Sequence, residues 1–156
     1  MDYELTRRVL EALHQHGVAY KVFGAVALNL HGLARATEDL DIFIAPNADN
    51  IARLRTALHS VFDDPSIDEI TAEDLLGEYP AVQYVPPTGD FHIDILTRLG
   101  ELFDYAGLEA ETVDLGGTPV TVVTAKMLYE MKRNTVRAKD RGDAEALARR
   151  FKLEGS

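Results

Sequence analysis

The sequence predicts a single mixed α/β domain, and three observations predict it. Helical and strand-like segments alternate over the first sixty residues and then give way to consecutive strands. That order favours a mixed sheet packed with helices (α+β in character) over a purely parallel one. The 156 residues are 46 % hydrophobic and 27 % charged, which supplies one core and excludes wholesale disorder. No repeat, low-complexity tract or long linker divides the chain. Residues 1–156 therefore read as one domain, with a core of about 18–96 and a C-terminal hairpin and helices of about 113–152.

Leu5, Val9 and Leu13 recur at helical spacing and Gly17 follows them, predicting a helix over 3–16 with a glycine stop. Val18 to Phe23 is β-branched and aromatic and reads as a strand. Gly24 punctuates it, and Ala25 to Leu33 reads as a helix of small and apolar residues. Leu40 to Ile44 is a strand closed by Pro46. Asn47 to Asn50 offers capping side chains to a helix with Ile51, Leu54, Leu58 and Val61 on its inner face. Residues 63–70 read as acidic loop, and Thr71 with Asp74 resembles a capping box for a short helix. Ala81 to Val85 and Phe91 to Leu96 are strands separated by a turn over Pro86-Pro87-Thr88-Gly89. Gly116-Gly117 between Val113–Leu115 and Val120–Val123 marks a hairpin. Thr124 caps a helix of about 125–135, and a last helix runs about 141–152.

Charge and composition narrow the function. Net charge is −10. Residues 1–125 hold 7 Lys/Arg against 21 Asp/Glu, whereas residues 126–152 hold 9 against 4. The acidic body argues against a broad nucleic-acid surface. The basic C-terminal segment suits either a solvated helical face or a phosphate-bearing ligand. With no cysteine, disulfides, thiolate metal sites and a cysteine nucleophile are excluded. No apolar run reaches the roughly 18 residues of a membrane helix. The N-terminal residues lack the basic and apolar regions of a signal peptide. A cytoplasmic protein without a membrane partner is the expectation.

Three aspartates stand out. Asp39 and Asp41 bracket Leu40 at the start of an apolar strand, so both carboxylates face the same way. Asp94 lies inside Phe91-His92-Ile93-Asp94-Ile95-Leu96, a second apolar strand. Aspartate is a poor strand residue, and a carboxylate there must be paired, solvated or bound to a cation. If the two strands are neighbours, three carboxylates converge and repel. A divalent cation removes that conflict, and a hard oxygen donor set without Cys suits Mg²⁺ or Mn²⁺. Strand-end aspartates that merely cap loops are the alternative. Gly24 adds a second signal: a strand ending in glycine and turning directly into a helix presents free N–H groups to a phosphate. The five histidines form no convincing cluster. His92 shares a strand face with Asp94, so it either lines the site or stands as a solvated strand histidine, the preferred reading. The tyrosines read as packing.

Phe23-Gly24-Ala25, Asp39-Leu40-Asp41 and Ile93-Asp94-Ile95 together resemble the nucleotidyltransferase superfamily with the DNA polymerase β-like fold. Its motif is a hydrophobic residue, Gly, Gly or Ser, a spacer, D-x-D or D-x-E, and a later carboxylate between hydrophobic residues. The approach Arg35-Ala36-Thr37-Glu38-Asp39 and the small size are similar to the bacterial AbiEii-like branch, related to abortive infection and toxin–antitoxin systems. The resemblance implies a nucleotidyltransferase fold with C-terminal helices. It implies that Asp39, Asp41 and Asp94 hold Mg²⁺ (or Mn²⁺) and act catalytically, and that Gly24 and Ala25 offer N–H groups to a nucleoside triphosphate. Arg35, Thr37, Lys126, Lys132 and Asp143 are implied as further nucleotide contacts, with Lys132 the first choice for the triphosphate. The reaction implied is transfer of a nucleoside monophosphate to an acceptor hydroxyl on a tRNA end, a protein side chain or a small molecule, with a cognate toxin or antitoxin protein as a partner. Ala25 departs from the Gly or Ser of the motif and keeps the N–H but no hydroxyl. That departure leaves open a catalytically weak, regulatory or antitoxin-like binding module of the same fold.

Overall fold

The computed structural model describes residues 3–35, 39–77, 80–87, 91–133, 146–147 and 149–152. Helix α1 (Tyr3–Gln15) leads into β1 (Tyr20–Phe23), α2 (Gly24–Leu30), β2 (Asp39–Ile44) and α3 (Ala48–Val61). A 3₁₀ turn (Pro65–Glu69) and α4 (Ala72–Leu75) precede β3 (Ala81–Tyr84) and β4 (His92–Leu96). The short strands β5 (Arg98–Leu99) and β6 (Phe103–Asp104), the hairpin β7 (Ala110–Leu115) and β8 (Thr118–Val123), and α5 (Ala125–Arg133) follow.

Six strands form one mixed sheet in the order β3-β4-β2-β1-β8-β7, and β5 pairs with β6 separately. The central pair β2 and β4 is parallel, as is β1 with β8, and the other neighbours are antiparallel. This is the mixed sheet that the order of elements predicts. Among the described residues no helix is long and apolar enough to cross a membrane.

The sheet has two unlike faces because side chains alternate along each strand. Leu40, Ile42 and Ile44 of β2, Val22 of β1 and Ile93 and Ile95 of β4 are all buried and share one face through their register. The other face carries Asp39, Asp41 and Phe43 beside His92, Asp94 and Leu96. Phe23 and Phe43 pack there with ring centroids 4.7 Å apart. Lys21, in register with Phe43, donates from Nζ to the carbonyls of Tyr105 (2.5 Å) and Leu108 (2.8 Å), tying the 105–108 loop to the sheet. Burial pushes its ammonium below its ordinary pKa.

The predicted caps form. Asn47 Oδ1 accepts from the Asn50 N–H at 2.8 Å and opens α3. Thr71 Oγ1 accepts from Asp74 N–H, and Thr124 Oγ1 from Met127 N–H. Gly116 and Gly117 both have positive φ, 58° and 91°, the conformation a tight hairpin turn requires. Three expectations change. The 63–70 loop contains a 3₁₀ turn, organised by the Asp64 side chain. The β5–β6 pair is additional, since two-residue strands leave no periodicity to read. The helix expected to reach 33 stops at Leu30, where His31 and Gly32 close the last turn on the Ala27, Leu28 and Asn29 carbonyls. Of the expected last helix over 141–152, residues 141–145 and 148 lie outside the described residues.

Candidate active site

The site grows from the β2–β4 register. Asp41 lies opposite Asp94, and Asp39 lies opposite His92. Strand partners on one face have Cβ atoms close together, so the parallel pairing forces the three carboxylates into one cluster. Asp41 and Asp94 lie side by side in register, where a proton on one carboxyl relieves the repulsion, because an ionised carboxylate only accepts. Burial, then the Asp94 hydrogen bond and charge, then the Asp39 charge push the Asp41 carboxyl up to about 7. Lys132 opposes the shift with its positive charge. His92 Nδ1 lies 2.9 Å from Asp39 Oδ1.

Gly24 meets this cluster from the next strand. Its φ is +71°, a left-handed conformation costly to any residue with a Cβ. A Cβ added there would fall on Asp41 Oδ2 and stand 2.9 Å from its Cγ. Glycine is therefore required twice, once for the turn and once for the approach of the Asp41 carboxylate. The turn leads directly into α2, and the residue before it, Phe23, makes no side-chain cap. The first N–H groups of α2, including those of Gly24 and Ala25, thus have no capping side chain.

The structure brings Asp39, Asp41, Asp94 and Gly24 together, with Ala25 next in the chain. Arg35 sits on the approach to β2, where its N–H donates to Asn29 Oδ1 at 2.8 Å. Lys132, half-buried in the last turn of α5, is close enough to act on Asp41. Lys126 is exposed in the first turn of that helix. Six residues apart, the two lysines point about 120° away from each other around the axis. Arg133 is occupied with Glu130 (3.5 Å) and the Tyr129 ring. Thr37 and Asp143 lie outside the described residues.

His92 contacts Asp39 while its side chain stays partly exposed, so the site-lining reading of this histidine gains a partner. The signal was its period-two spacing from Asp94. Among the described residues, no three His, Asp or Glu side chains already stand as a cage for a metal ion. Asp39 is turned to His92, and Asp41 to Asp94. As a donor set, however, the cluster fits a hard divalent cation: clustered carboxylates, with the Asp41 carboxyl pushed up to about 7 by burial and then by its like-charged neighbours.

Comparison with known proteins places this geometry. The family model described as the nucleotidyl transferase AbiEii toxin of type IV toxin–antitoxin systems matches residues 22–99, half of the chain, from β1 through β5. The chain belongs to this nucleotidyltransferase family. As an AbiEii-family protein it is an enzyme of nucleotidyl transfer. ANT(2'')-Ia, solved in complex with adenylyl-2''-tobramycin, matches with a TM-score of 0.59 at 11 % identity over 96 % of this chain and 88 % of its own. An antigenic nucleotidyltransferase-like protein from Paracoccidioides brasiliensis matches with a TM-score of 0.56 at 18 % identity over 95 % and 76 %. At these identities the likeness is one of fold, and it bears out the mixed α/β nucleotidyltransferase fold. A comparison with curated proteins found no match.

Proposed function

We propose that this AbiEii-family chain, acting as one domain, transfers a nucleoside monophosphate from a nucleoside triphosphate to an acceptor hydroxyl at the β2–β4 carboxylates. The observation that supports it most is the pairing of Asp41 with Asp94 in register, against a glycine whose missing side chain makes room for the Asp41 carboxylate. Asp39, Asp41 and Asp94 would hold Mg²⁺ or Mn²⁺, which supplies positive charge against the triphosphate and the pentavalent transition state. The N–H groups of Gly24 and Ala25 bind phosphate oxygens. Lys132 adds charge at the leaving phosphates, with Lys126 as a second, more exposed cation. Arg35 and Thr37 orient the nucleotide, and Asp143 orients a lysine.

In the reaction the acceptor oxygen attacks the α-phosphorus, the bond to the β-phosphate oxygen breaks, and pyrophosphate leaves. Asp94 takes the acceptor proton. Phosphoryl-type transfer asks a protein mainly for positioning and charge compensation, and these residues supply both. The family supports a toxin–antitoxin role, and in this reading the protein works in the cytoplasm opposite a cognate partner protein. The charge distribution favours a compact acceptor, such as a small alcohol, a protein side chain or a short tRNA 3′ end lying along the basic 126–152 segment. A long RNA footprint needs many phosphate contacts, which residues 1–125 lack.

Incubation with each α-³²P-labelled nucleoside triphosphate, Mg²⁺ and total cell RNA plus protein tests this. Label on one RNA or protein band, lost in Asp41→Asn, is the expected result. No label together with no Mg-nucleotide binding contradicts it.

A further inference from the structure

Nucleotidyl transfer as described leaves the acceptor without a seat. The groups assigned to the phosphates come from one side of Asp41. Gly24 and Ala25 open the helix after β1, and Lys132 stands in the last turn of the helix after β8. Both strands lie on the same side of β2 in the sheet. In-line displacement sets the attacking oxygen opposite the leaving pyrophosphate, so the acceptor arrives from the other side, over Asp94 and the edge strand β3. Alternation puts Gln83 of β3 on the carboxylate face, in register with Asp94. Gln83 is exposed, and its amide both donates and accepts. Two residues along, roughly 7 Å away, Ala81 and Leu96 pair on the same face. There they line a hollow of about 420 Å³ together with Arg98, Leu99 and Glu101. Leu99 is 43 % exposed, an apolar wall open to a ligand.

That separation is also the spacing of alternate side chains in an extended peptide. Among the described residues, the lining carries one basic side chain, Arg98, answered by Glu101, and no aromatic ring. An RNA end calls for several cations and a stacking platform, and an extended protein segment needs neither. We propose that Gln83 and this hollow form the acceptor subsite, and that the acceptor is a serine, threonine or tyrosine of an extended protein segment. The Gln83 amide holds the hydroxyl beside Asp94, and an apolar side chain two residues away in the segment fills the hollow. The proposal rests on the nucleotidyl-transfer reading of the site. The hydroxyl oxygen bonds to the α-phosphorus, its proton passes to Asp94, the bond to the β-phosphate oxygen breaks, and pyrophosphate leaves.

The test gives the full chain Mg²⁺ and α-³²P-labelled nucleoside triphosphates with three probes in separate tubes. These are cell protein, total RNA, and a peptide library with one fixed Ser, Thr or Tyr and randomised flanks. Label is expected on protein and on peptides with an apolar residue two positions from the hydroxyl. Gln83→Leu should need about 10-fold more peptide for half-maximal labelling, the worth of one hydrogen bond, with Mg-nucleotide affinity unchanged. Leu99→Glu should shift the selected residue from apolar to Lys or Arg, a change that a merely structural role would not produce. Should one variant fail to fold, the other carries the same decision. Label on RNA alone, peptides labelled without preference at that position, or wild-type behaviour in the variants overturns the proposal and leaves nucleotidyl transfer standing. Mg-nucleotide binding with no label on any probe also overturns it. No label and no Mg-nucleotide binding overturns the nucleotidyl-transfer reading and this proposal with it.

Discussion

Asp41 and Asp64 are the same residue in opposite surroundings. Asp64 opens the 3₁₀ turn and accepts three hydrogen bonds: from Ser66 N–H (3.0 Å), Ser66 Oγ (2.8 Å) and Tyr84 OH (2.8 Å). Those donors hold its carboxyl below the usual range. Asp41 faces two further carboxylates and the backbone of Gly24, and its carboxyl is pushed up to about 7. Around Asp64 every neighbour is complementary, and the result is a knot of structure between the 3₁₀ turn and β3. Around Asp41 the neighbours conflict. A fold that keeps such a conflict in the middle of its central strands does so where a ligand of opposite charge resolves it.

The largest expected effect separates the two regions by function. Asp41→Asn should lower nucleotidyl transfer on the order of 10²–10³-fold, the scale of removing one preorganised electrostatic contact, while the metal-free protein becomes more stable. Radiolabel transfer and a thermal melt check the two halves. Asp64→Asn should do the reverse, with a lower Tm and unchanged transfer. Gly24→Ala comes next. The left-handed backbone alone costs about 1–2 kcal/mol, and the new Cβ must displace the Asp41 carboxylate, so denaturant stability and activity should fall together. If Gly24→Ala keeps full activity, the close approach of Gly24 to Asp41 has no catalytic meaning.

The smallest effects lie in pH dependence, and there the signs oppose. Asp41 has a folded pKa of about 7, raised from 3.8, so the folded state holds its proton longer than the unfolded chain. In EDTA its contribution should therefore make the fold less stable as pH rises from about 4 to about 7, and Asp41→Asn should remove that slope. Asp64 is lowered. Its stabilisation is present above the ordinary carboxylate value and is lost as pH falls through its folded pKa. Urea melts across pH 3–8 on the two variants resolve the two contributions.

Much of the site was legible because its signals were local. Two aspartates two apart in an apolar strand, a third in another, and a glycine between strand and helix each break a rule that an ordinary strand obeys. The caps at Asn47, Thr71 and Thr124 were legible for the same reason, since a cap is decided within four residues. What escaped depended on distant partners. His92 reads as an ordinary strand histidine until the strand carrying Asp39, 53 residues earlier, is known to lie beside it in parallel register. Lys21 reads as a strand lysine until the carbonyls of Tyr105 and Leu108 are seen to accept from it. The 3₁₀ turn over Pro65–Glu69 is anchored in part by Tyr84 from another strand, and nothing within 63–70 announces that bond.

A single pair of melts tests the central claim most directly: wild type and Asp41→Asn, each in EDTA and then in Mg²⁺ with a nucleoside triphosphate. If the carboxylate cluster is a conflict that a cation and nucleotide resolve, Asp41→Asn is the more stable protein in EDTA. Ligand at 100 times its Kd then adds about 2.7 kcal/mol to the wild type and nothing to the variant. A variant less stable than wild type in EDTA, or one that gains as much from Mg-nucleotide, would contradict the account.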